Sequence, residues 1–575
     1  MLERIAASLL NDSLARAVGS GEIALSDHPE IVMERPKSEA HGDFATGICM
    51  TLARDARRPP RKLAELLIAN IEDPEQILER AEVAGPGFIN LTFRREAWFA
   101  RLQEVRERGA TFGQTNAGGN QRVLLEFVSA NPTGPLHVGH GRGAVVGDVL
   151  GNVLAAAGFD VTREYYINDI GKQMRHLGAS LYHRYRELLG IDEPYPPDCY
   201  QGDYILDIAK DFLARHGETL RDADYEGDEA AGKVFRDFIH RAIQDDIHDD
   251  LREFGIEFDN WFAESSLYDD ELVYGLLDEL ERKGHIYTDE QTGARKFRTS
   301  GFGDDEDRVI IRDNGVPTYF ASDVAYHANK FARGFDVLID IWGADHHGYI
   351  PRMRAGLGAL GHPQEAFEVL LIQFVNLVRD GVPVSMSTRK GTFVDLRKVR
   401  EEVGKDAARL FFIMRRPDSQ LDFDLELAKR ASMDNPVYYV QYGHARICSI
   451  LRKAEEAGYA VEDYHAEMCA ALELPEELEL TRKILAYPGL LESCALNREP
   501  HHIVFYLQDL VKTFHGYYTR HKHTAKIVSG DPSKRQARLL LVDCLRIVLR
   551  NALSLLGVSA PERMYLNEAE EESAP

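Results

Sequence analysis

The sequence predicts an α/β fold: a doubly wound parallel-sheet domain carrying a helical insertion, preceded by a small α/β domain and followed by an all-α domain. Three observations predict it. Apolar strand-like runs alternate with helical spacing over 123–189 and again over 317–378. An acidic, mostly helical stretch at about 190–300 interrupts that alternation. From about 434 to 563 the apolar spacing is three and four throughout, as in Leu539, Val542, Leu545, Val548, Leu549, Ala552 and Leu556. At 575 residues the chain is also too long for one hydrophobic core, and three or four domains are expected.

The elements follow in order. Residues 2–18 have the spacing of an amphipathic helix. The turn-rich stretch from Glu39 to Phe44 leads into a helical run through Leu52, which Pro59-Pro60 stops, and 83–93 reads as a turn and a strand. Residues 1–112 thus form the first domain, and Gly-rich 113–120 is a linker by composition. The apolar run 123–128 is a buried parallel strand, 139–157 its helix, 161–167 the second strand and 172–189 the next helix. This βαβα order opens a Rossmann-like domain over 113–378. The alternation resumes after the insertion with 317–321, a helix at 321–333, a strand at 337–342, one more helix and the run 369–378. Residues 379–433 read as a mobile loop with its supporting region, and 434–575 as the all-helical domain with an acidic, disordered tail.

Composition narrows the class. No apolar run reaches 18 residues, so no membrane span is expected. The amino terminus lacks a signal-peptide apolar core. The six cysteines stand alone, without Cys-x-x-Cys spacing, and read as buried small residues in a reducing cytoplasm. The net charge of −25 argues at first against a nucleic-acid partner. Its distribution reverses that reading. Residues 201–310 hold 30 acids against 13 bases, a balance of −17, whereas 515–550 hold 8 bases against 2 acids and 385–416 hold 9 against 4. Each basic run alone could be a solvated helix face. Two such zones on an acidic chain favour an anion held at defined places.

Two segments carry the chemistry. In the stretch from Glu126 through Asn131 to His137-Val138-Gly139-His140, a strand ends, Pro132 and Pro135 make a rigid turn, and a helix begins at the histidines. A helix start suits phosphate, Gly139 permits close approach, and two histidines three apart share one face of the first turn. The bland alternative is a pair of ordinary helix-start histidines. About 250 residues on, Ser385-Met386-Ser387-Thr388-Arg389-Lys390-Gly391 reads as a mobile cationic loop, with Arg389 and Lys390 to meet a leaving pyrophosphate. Together they are what adenylate formation requires: ATP held at a helix start, and positive charge brought onto its triphosphate.

These paired segments resemble the His-Ile-Gly-His and Lys-Met-Ser-Lys-Ser motifs of class I aminoacyl-tRNA synthetases. More narrowly, the chain is similar to the arginyl-tRNA synthetases. The likeness also covers Tyr165–Met174, Trp342-Gly-Ala-Asp-His-His-Gly348, 434–446 and the closing 556–564 block. One departure stands out: the motif's lysines are Ser385 and Thr388 here, so their work falls to Arg389 and Lys390. The resemblance implies a ligase that joins L-arginine to tRNA-Arg through arginyl-adenylate, with Mg²⁺ arriving on ATP. It implies no tightly bound metal, no DNA partner, a cytoplasmic monomer, a tRNA-elbow contact for the first domain, a stem contact for 379–433 beside the signature loop, and an anticodon contact for the last domain. ATP would meet His137, Gly139, His140, Asp345, His347, Met386 and Ser387, and arginine would meet Glu126, Asn131, Tyr319, Asp323 and His346. Tyr438, Tyr442 and Arg446 are candidates for tRNA, although a buried aromatic stripe explains such tyrosines equally well.

Charge supports arginine independently. Glu126 ends an apolar strand, and Asp323 follows Tyr319 by four residues. Two carboxylates and a phenol can satisfy the planar five-donor guanidinium. Either acid alone could be structural. Asp345-His346-His347 lacks a third ligand at metal-site spacing, so a metal is not expected there. A valine-type enzyme would need an editing insertion, a cysteine enzyme zinc-ligand cysteines, and a small-metabolite adenylyltransferase would lack the helical domain. A catalytically silent tRNA-binding relative is the remaining alternative, against which His137, His140, Arg389 and Lys390 all speak.

Overall fold

In the computed structural model, residues 2–25, 28–36, 38–384, 394–459 and 465–564 are described. The Ser385–Gly391 motif therefore lies outside the described residues. The central sheet has five strands, all parallel, in the spatial order Phe367–Ile372, Val337–Gly343, Arg122–Glu126, Asp160–Ile167, Asn260–Ala263. Val123, Leu124, Leu125, Leu338 and Ile339 are fully buried, because both faces of a parallel sheet are covered, which favours apolar residues along its strands. The strand order reverses between Arg122–Glu126 and Val337–Gly343, which opens a crevice at their carboxyl ends. The helix Val138–Ala156 leaves that crevice, and Tyr319–Ala332 runs back along it.

The structure overturns three details of the sequence reading. Its edge strand Asn260–Ala263 lies inside the stretch expected to be a mostly helical insertion. Four residues are too short to register against the flanking helical pattern. Residues 317–321 are not a strand: Pro317 makes one isolated bridge to Ile311, and the helix begins at Tyr319 after Thr318. The run 369–378 breaks at Gln373-Phe374 into two strands of different sheets. The second, Val375–Arg379, pairs in parallel with Leu421–Asp424. The insertion also carries helices Asp203–His216 and Glu229–Glu253 and a small antiparallel sheet, Ile286–Thr288, Arg295–Phe297 and Arg308–Ile311.

At the amino end, helix Leu2–Gly19 and helix Pro60–Ala69 cover a three-stranded antiparallel sheet. At the carboxyl end, Pro436–Glu456, Pro475–Asn497, His502–His521 and Pro532–Leu555 pack as a bundle. Three of these four helices open on proline, whose fixed φ suits the first helical position and whose missing N–H is no loss there. All six cysteines are free and buried. No helix among the described residues is long and apolar enough to cross a membrane.

Candidate active site

The crevice is built from a row of acids. Glu164, Glu126 and Asp340 are direct neighbours across three adjacent strands, so all three project from one sheet face. Facing them, helix Tyr319–Ala332 presents Tyr319, Asp323, His327 and Lys330 at spacings of four, four and three, one stripe of a helix. Lys330, wholly buried, donates to Glu126 Oε2 at 2.5 Å and to Asp340 Oδ1 at 3.0 Å. His327 bonds Asp340 Oδ2 at 2.7 Å through Nε2 and the Asp323 carbonyl at 2.7 Å through Nδ1. Arg333 makes a two-pronged pair with Glu164, which also accepts from Tyr326 and Asn260. Burial of three carboxylates is tolerated because each has its own cation or hydrogen bonds. Glu126, His327 and Asp340 come close enough to hold a metal, but the Lys330 ammonium already bonds two of the three.

Glu126, expected to meet arginine, is held by Lys330 and by the Ser129 hydroxyl, 2.8 Å away. Two other carboxylates do lack a cation. Neither Asp323 nor Glu264 takes part in an ion pair among the described residues. Glu264, 2% exposed, directly follows the edge strand. Burial, then the neighbouring Asp323 charge, pushes its carboxyl up to about 7. Burial likewise raises Asp323, partly offset by the Tyr349 hydroxyl, which donates to it at 2.5 Å. Tyr166 lies among Glu264, Asp323 and Glu126, and burial with that surrounding charge raises its phenol well above the usual range. Tyr319, one turn before Asp323, is 61% exposed. Acids and aromatic rings thus crowd together here, and neither Asp323 nor Glu264 has an ion-pair partner among the described residues.

Sequence reasoning did not find Glu264. The available signal was its place: like Glu126, it is an acid at the end of an apolar run, here Trp261-Phe262-Ala263.

The turn beyond Glu126 leads to the second half of the site. Val128 and Ser129 sit at φ +67° and +39°, where a β-branched residue is rarely found. The Tyr165 hydroxyl pins the next residue by bonding both the N–H and the carbonyl of Ala130. Asn131 is exposed beyond it, and Tyr204 of the insertion donates to Thr133 O. His137 then caps helix Val138–Ala156. Its Nδ1 accepts from Gly139 N at 3.1 Å, while His140 Nδ1 accepts from His137 N at 3.3 Å. The rings stack at 3.6 Å. With Nδ1 accepting, each neutral ring carries its proton on Nε2 and offers it as a donor. Burial lowers both histidines, His140 to about 3 with a further push from His137, so both are uncharged donors at neutral pH. A Cβ on Gly139 would come within 3.0 Å of the His137 ring.

Asp345, His346 and His347 are exposed on the short turn after strand Val337–Gly343, at the same end of the sheet. His346 lies 3.7 Å from Asp345. The segment that begins at Val394 is tied to the helix start: Val138 N donates to Val394 O at 3.1 Å and Leu396 N to Leu136 O at 2.8 Å.

In the helical bundle, Tyr442 and Arg446 line a cleft of about 470 Å³ with Lys453, Tyr518, Lys522 and Lys526. The Arg446 guanidinium donates to Tyr442 Oη at 2.8 Å and lies over the Tyr442 and Tyr518 rings. Tyr438 is not in this cleft. It is nearly buried and borders a separate hollow with Lys405, Lys429 and Arg430. The basic zone 515–550 therefore divides: Lys522 and Lys526 face the cleft, while Lys534 pairs with Glu473, Arg538 with Glu477 and Arg546 with Asp543.

Comparison with known proteins agrees with this layout. Three family models match in succession: "Arginyl tRNA synthetase N terminal domain" over 5–93, "tRNA synthetases class I (R), catalytic domain" over 102–422 and "DALR anticodon binding domain" over 440–564. The arginine–tRNA ligase of Syntrophotalea carbinolica is 52% identical over 93% of this chain and 95% of that protein. That of Citrifermentans bemidjiense is 49% identical over 98% and 100%. A solved arginyl-tRNA synthetase structure from Campylobacter jejuni is 33% identical, with a TM-score of 0.74 over 82% of this chain and all of that one. The Thermus thermophilus arginyl-tRNA synthetase, at 24% identity and TM-score 0.75, shares the fold. With a catalytic model spanning over half its length and a relative this similar across nearly all of it, the chain belongs to the arginine–tRNA ligase family of class I synthetases.

Proposed function

We propose that the chain is an arginine–tRNA ligase whose arginine pocket is formed by Asp323 and Glu264. One observation carries this: buried Glu264 and half-buried Asp323 are neighbouring carboxylates, and neither is in an ion pair among the described residues. A guanidinium entering between them satisfies both, with Tyr319 closing over it. Asn131, on the pinned turn, faces the α-amino group, and His346 lies on the substrate side.

ATP, carrying its Mg²⁺, sits against the helix start, with Asp345 and His347 toward its ribose. The arginine carboxylate oxygen attacks the α-phosphorus; an O–P bond forms, the α–β bridging bond breaks, and pyrophosphate departs with the electron pair. His137 and His140 donate Nε2–H bonds to phosphate oxygens as their charge grows, which costs no reorganisation because backbone bonds have already fixed the rings. Met386 and Ser387 belong to the same ATP site. Arg389 and Lys390 receive the pyrophosphate, in the duty that the family's lysines leave open at Ser385 and Thr388. A terminal ribose hydroxyl of tRNA-Arg then attacks the arginyl carbonyl and AMP leaves. The catalytic work is positioning and charge stabilisation, with no side-chain nucleophile. The Tyr442–Arg446 cleft takes the anticodon side, the domain before 112 the elbow, and the enzyme works as a cytoplasmic monomer.

The test is exchange of labelled pyrophosphate into ATP with each amino acid, with and without tRNA. Arginine alone among them should support exchange. A chain that bound tRNA yet exchanged nothing would be a silent relative. Arg389→Ala and Lys390→Ala should each slow exchange, and the double change should be worse than either. Normal exchange by all three would move the pyrophosphate contact elsewhere.

A further inference from the structure

The closing block, 556–564, is the part of the sequence pattern that no reaction step uses. Helix Pro532–Leu555 ends on Gly557 at φ +65°. Gly557 N donates to Ser554 O at 2.9 Å and Val558 N to Leu553 O at 3.0 Å, the paired reverse bonds of a left-handed helix stop. The carbonyls of Leu555 and Leu556 are satisfied from outside the bundle. Asn152, on the histidine-bearing helix Val138–Ala156, donates to Leu555 O at 3.0 Å. Arg409, on helix Lys405–Ile413 and wholly buried, donates Nε to Leu556 O at 2.8 Å.

The same guanidinium reaches two more parts of the molecule. Its Nη1 donates to Phe254 O, at the end of insertion helix Glu229–Glu253, at 2.9 Å. Its Nη2 pairs with Asp148, also on helix Val138–Ala156. Asp148 lies two turns beyond His140, about 12 Å along a continuous helix. A Cβ at position 557 would stand 2.4 Å from three atoms of the guanidinium, so the closing glycine is needed for the close approach as well as for its backbone.

A planar, always-charged fork with three partners on three elements far apart in sequence cannot follow one of them without losing another. We propose that Arg409 is a positioning residue for adenylate formation: it holds the Leu556 carbonyl and Asp148 together, and so keeps His137 and His140 in register with the carboxyl-terminal bundle. This inference rests on the reading that ATP binds at the start of helix Val138–Ala156.

The test uses the full-length chain with Arg409→Lys, which keeps charge but loses the fork, and Gly557→Ala, which perturbs the guanidinium from the bundle side. Folding is checked by circular dichroism. At saturating ATP and arginine, pyrophosphate-exchange kcat should fall about tenfold or more in both, while arginine KM stays within about twofold. The double change should be no worse than the worse single, because both act on one knot. Should Arg409→Lys fail to fold, Asn152→Ala, losing the Leu555 bond, takes its place. A merely structural role lowers melting temperature and leaves kcat of the folded enzyme at the wild-type level; that result overturns the proposal. His140→Ala separates the two readings: if it abolishes exchange while the knot variants do not, the knot fails alone, and if it too leaves exchange intact, the ATP site itself is misplaced.

Discussion

At the scale of single residues, the proposed arginine pocket makes Asp323 and Glu264 the groups that select the substrate. A bound guanidinium that loses one ionised partner leaves charge undercompensated, which costs about 3–5 kcal/mol. Asp323→Asn and Glu264→Gln should therefore each raise arginine KM by two to three orders of magnitude and leave ATP KM nearly unchanged. Glu126→Gln should act differently, since it strips a partner from buried Lys330 and should lower the melting temperature first. Equal loss of arginine affinity in Glu126→Gln and Glu264→Gln, with stability intact, would return Glu126 to the pocket. Acidity supplies an independent check. Glu264 titrates near 7 in the arginine-free protein, so arginine must displace a proton below that pH. Arginine KM should rise as pH falls through about 7, and Glu264→Gln should flatten the profile. Because the folded value exceeds the unfolded 4.5, the native state holds more protons between the two. Relative to Glu264→Gln, wild type should lose stability as pH rises from about 4.5 to about 7, and arginine should restore it. An arginine KM independent of pH from 5.5 to 8.5 would sink the assignment. The sequence made Asp323 legible because Tyr319 and Asp323 share a helix face. It hid the Glu126–Lys330 pair, since 204 residues separate the partners.

Among elements, helix Val138–Ala156 does the most with the least. Its first turn fixes two imidazoles through backbone bonds, and its body is held by Asp148 and Asn152. Its start was readable because proline, glycine and histidine each have a positional reason to be there. The strained Val128–Ser129 turn was not readable: no glycine marks it, and Ser129 is held by Glu126 and Tyr166, the latter through its N–H. Edge strand Asn260–Ala263 was missed for a related reason, its four residues being stabilised by a neighbouring strand and not by local pattern. His140→Ala removes a donor that works only as charge grows, and should cost about 10²–10³ in exchange kcat with ATP KM little changed. Since His140 sits near 3 and is neutral, no loss of rate should track its titration between pH 6 and 8. Exchange within about threefold of wild type in His140→Ala would remove the histidine from the mechanism.

Across the whole molecule, an acidic chain must still hold a polyanion, and charge is sorted by place. Arg397 and Arg400, in a zone that looked basic, are bound to Asp246, Asp250 and Glu253 of the insertion, so these cations fasten domains together. Lys522 and Lys526, by contrast, have no ion pair among the described residues and border the Tyr442–Arg446 cleft. Tyr442 stacks with His515 and carries Arg446 over its ring. Each cation that meets phosphate releases condensed counterions, so its removal should shallow the salt dependence of tRNA binding by about 0.7–1 in logarithmic slope. Lys522→Ala with Lys526→Ala should thus raise tRNA KM most at low salt and flatten that slope by up to about two. Arginine-dependent exchange at saturating tRNA should stay within about twofold, because the cleft residues do not touch the Arg409–Leu556 knot. Weaker tRNA binding with an unchanged salt slope would mean the lysines act through the fold of the bundle, and the anion path would then lie along another face.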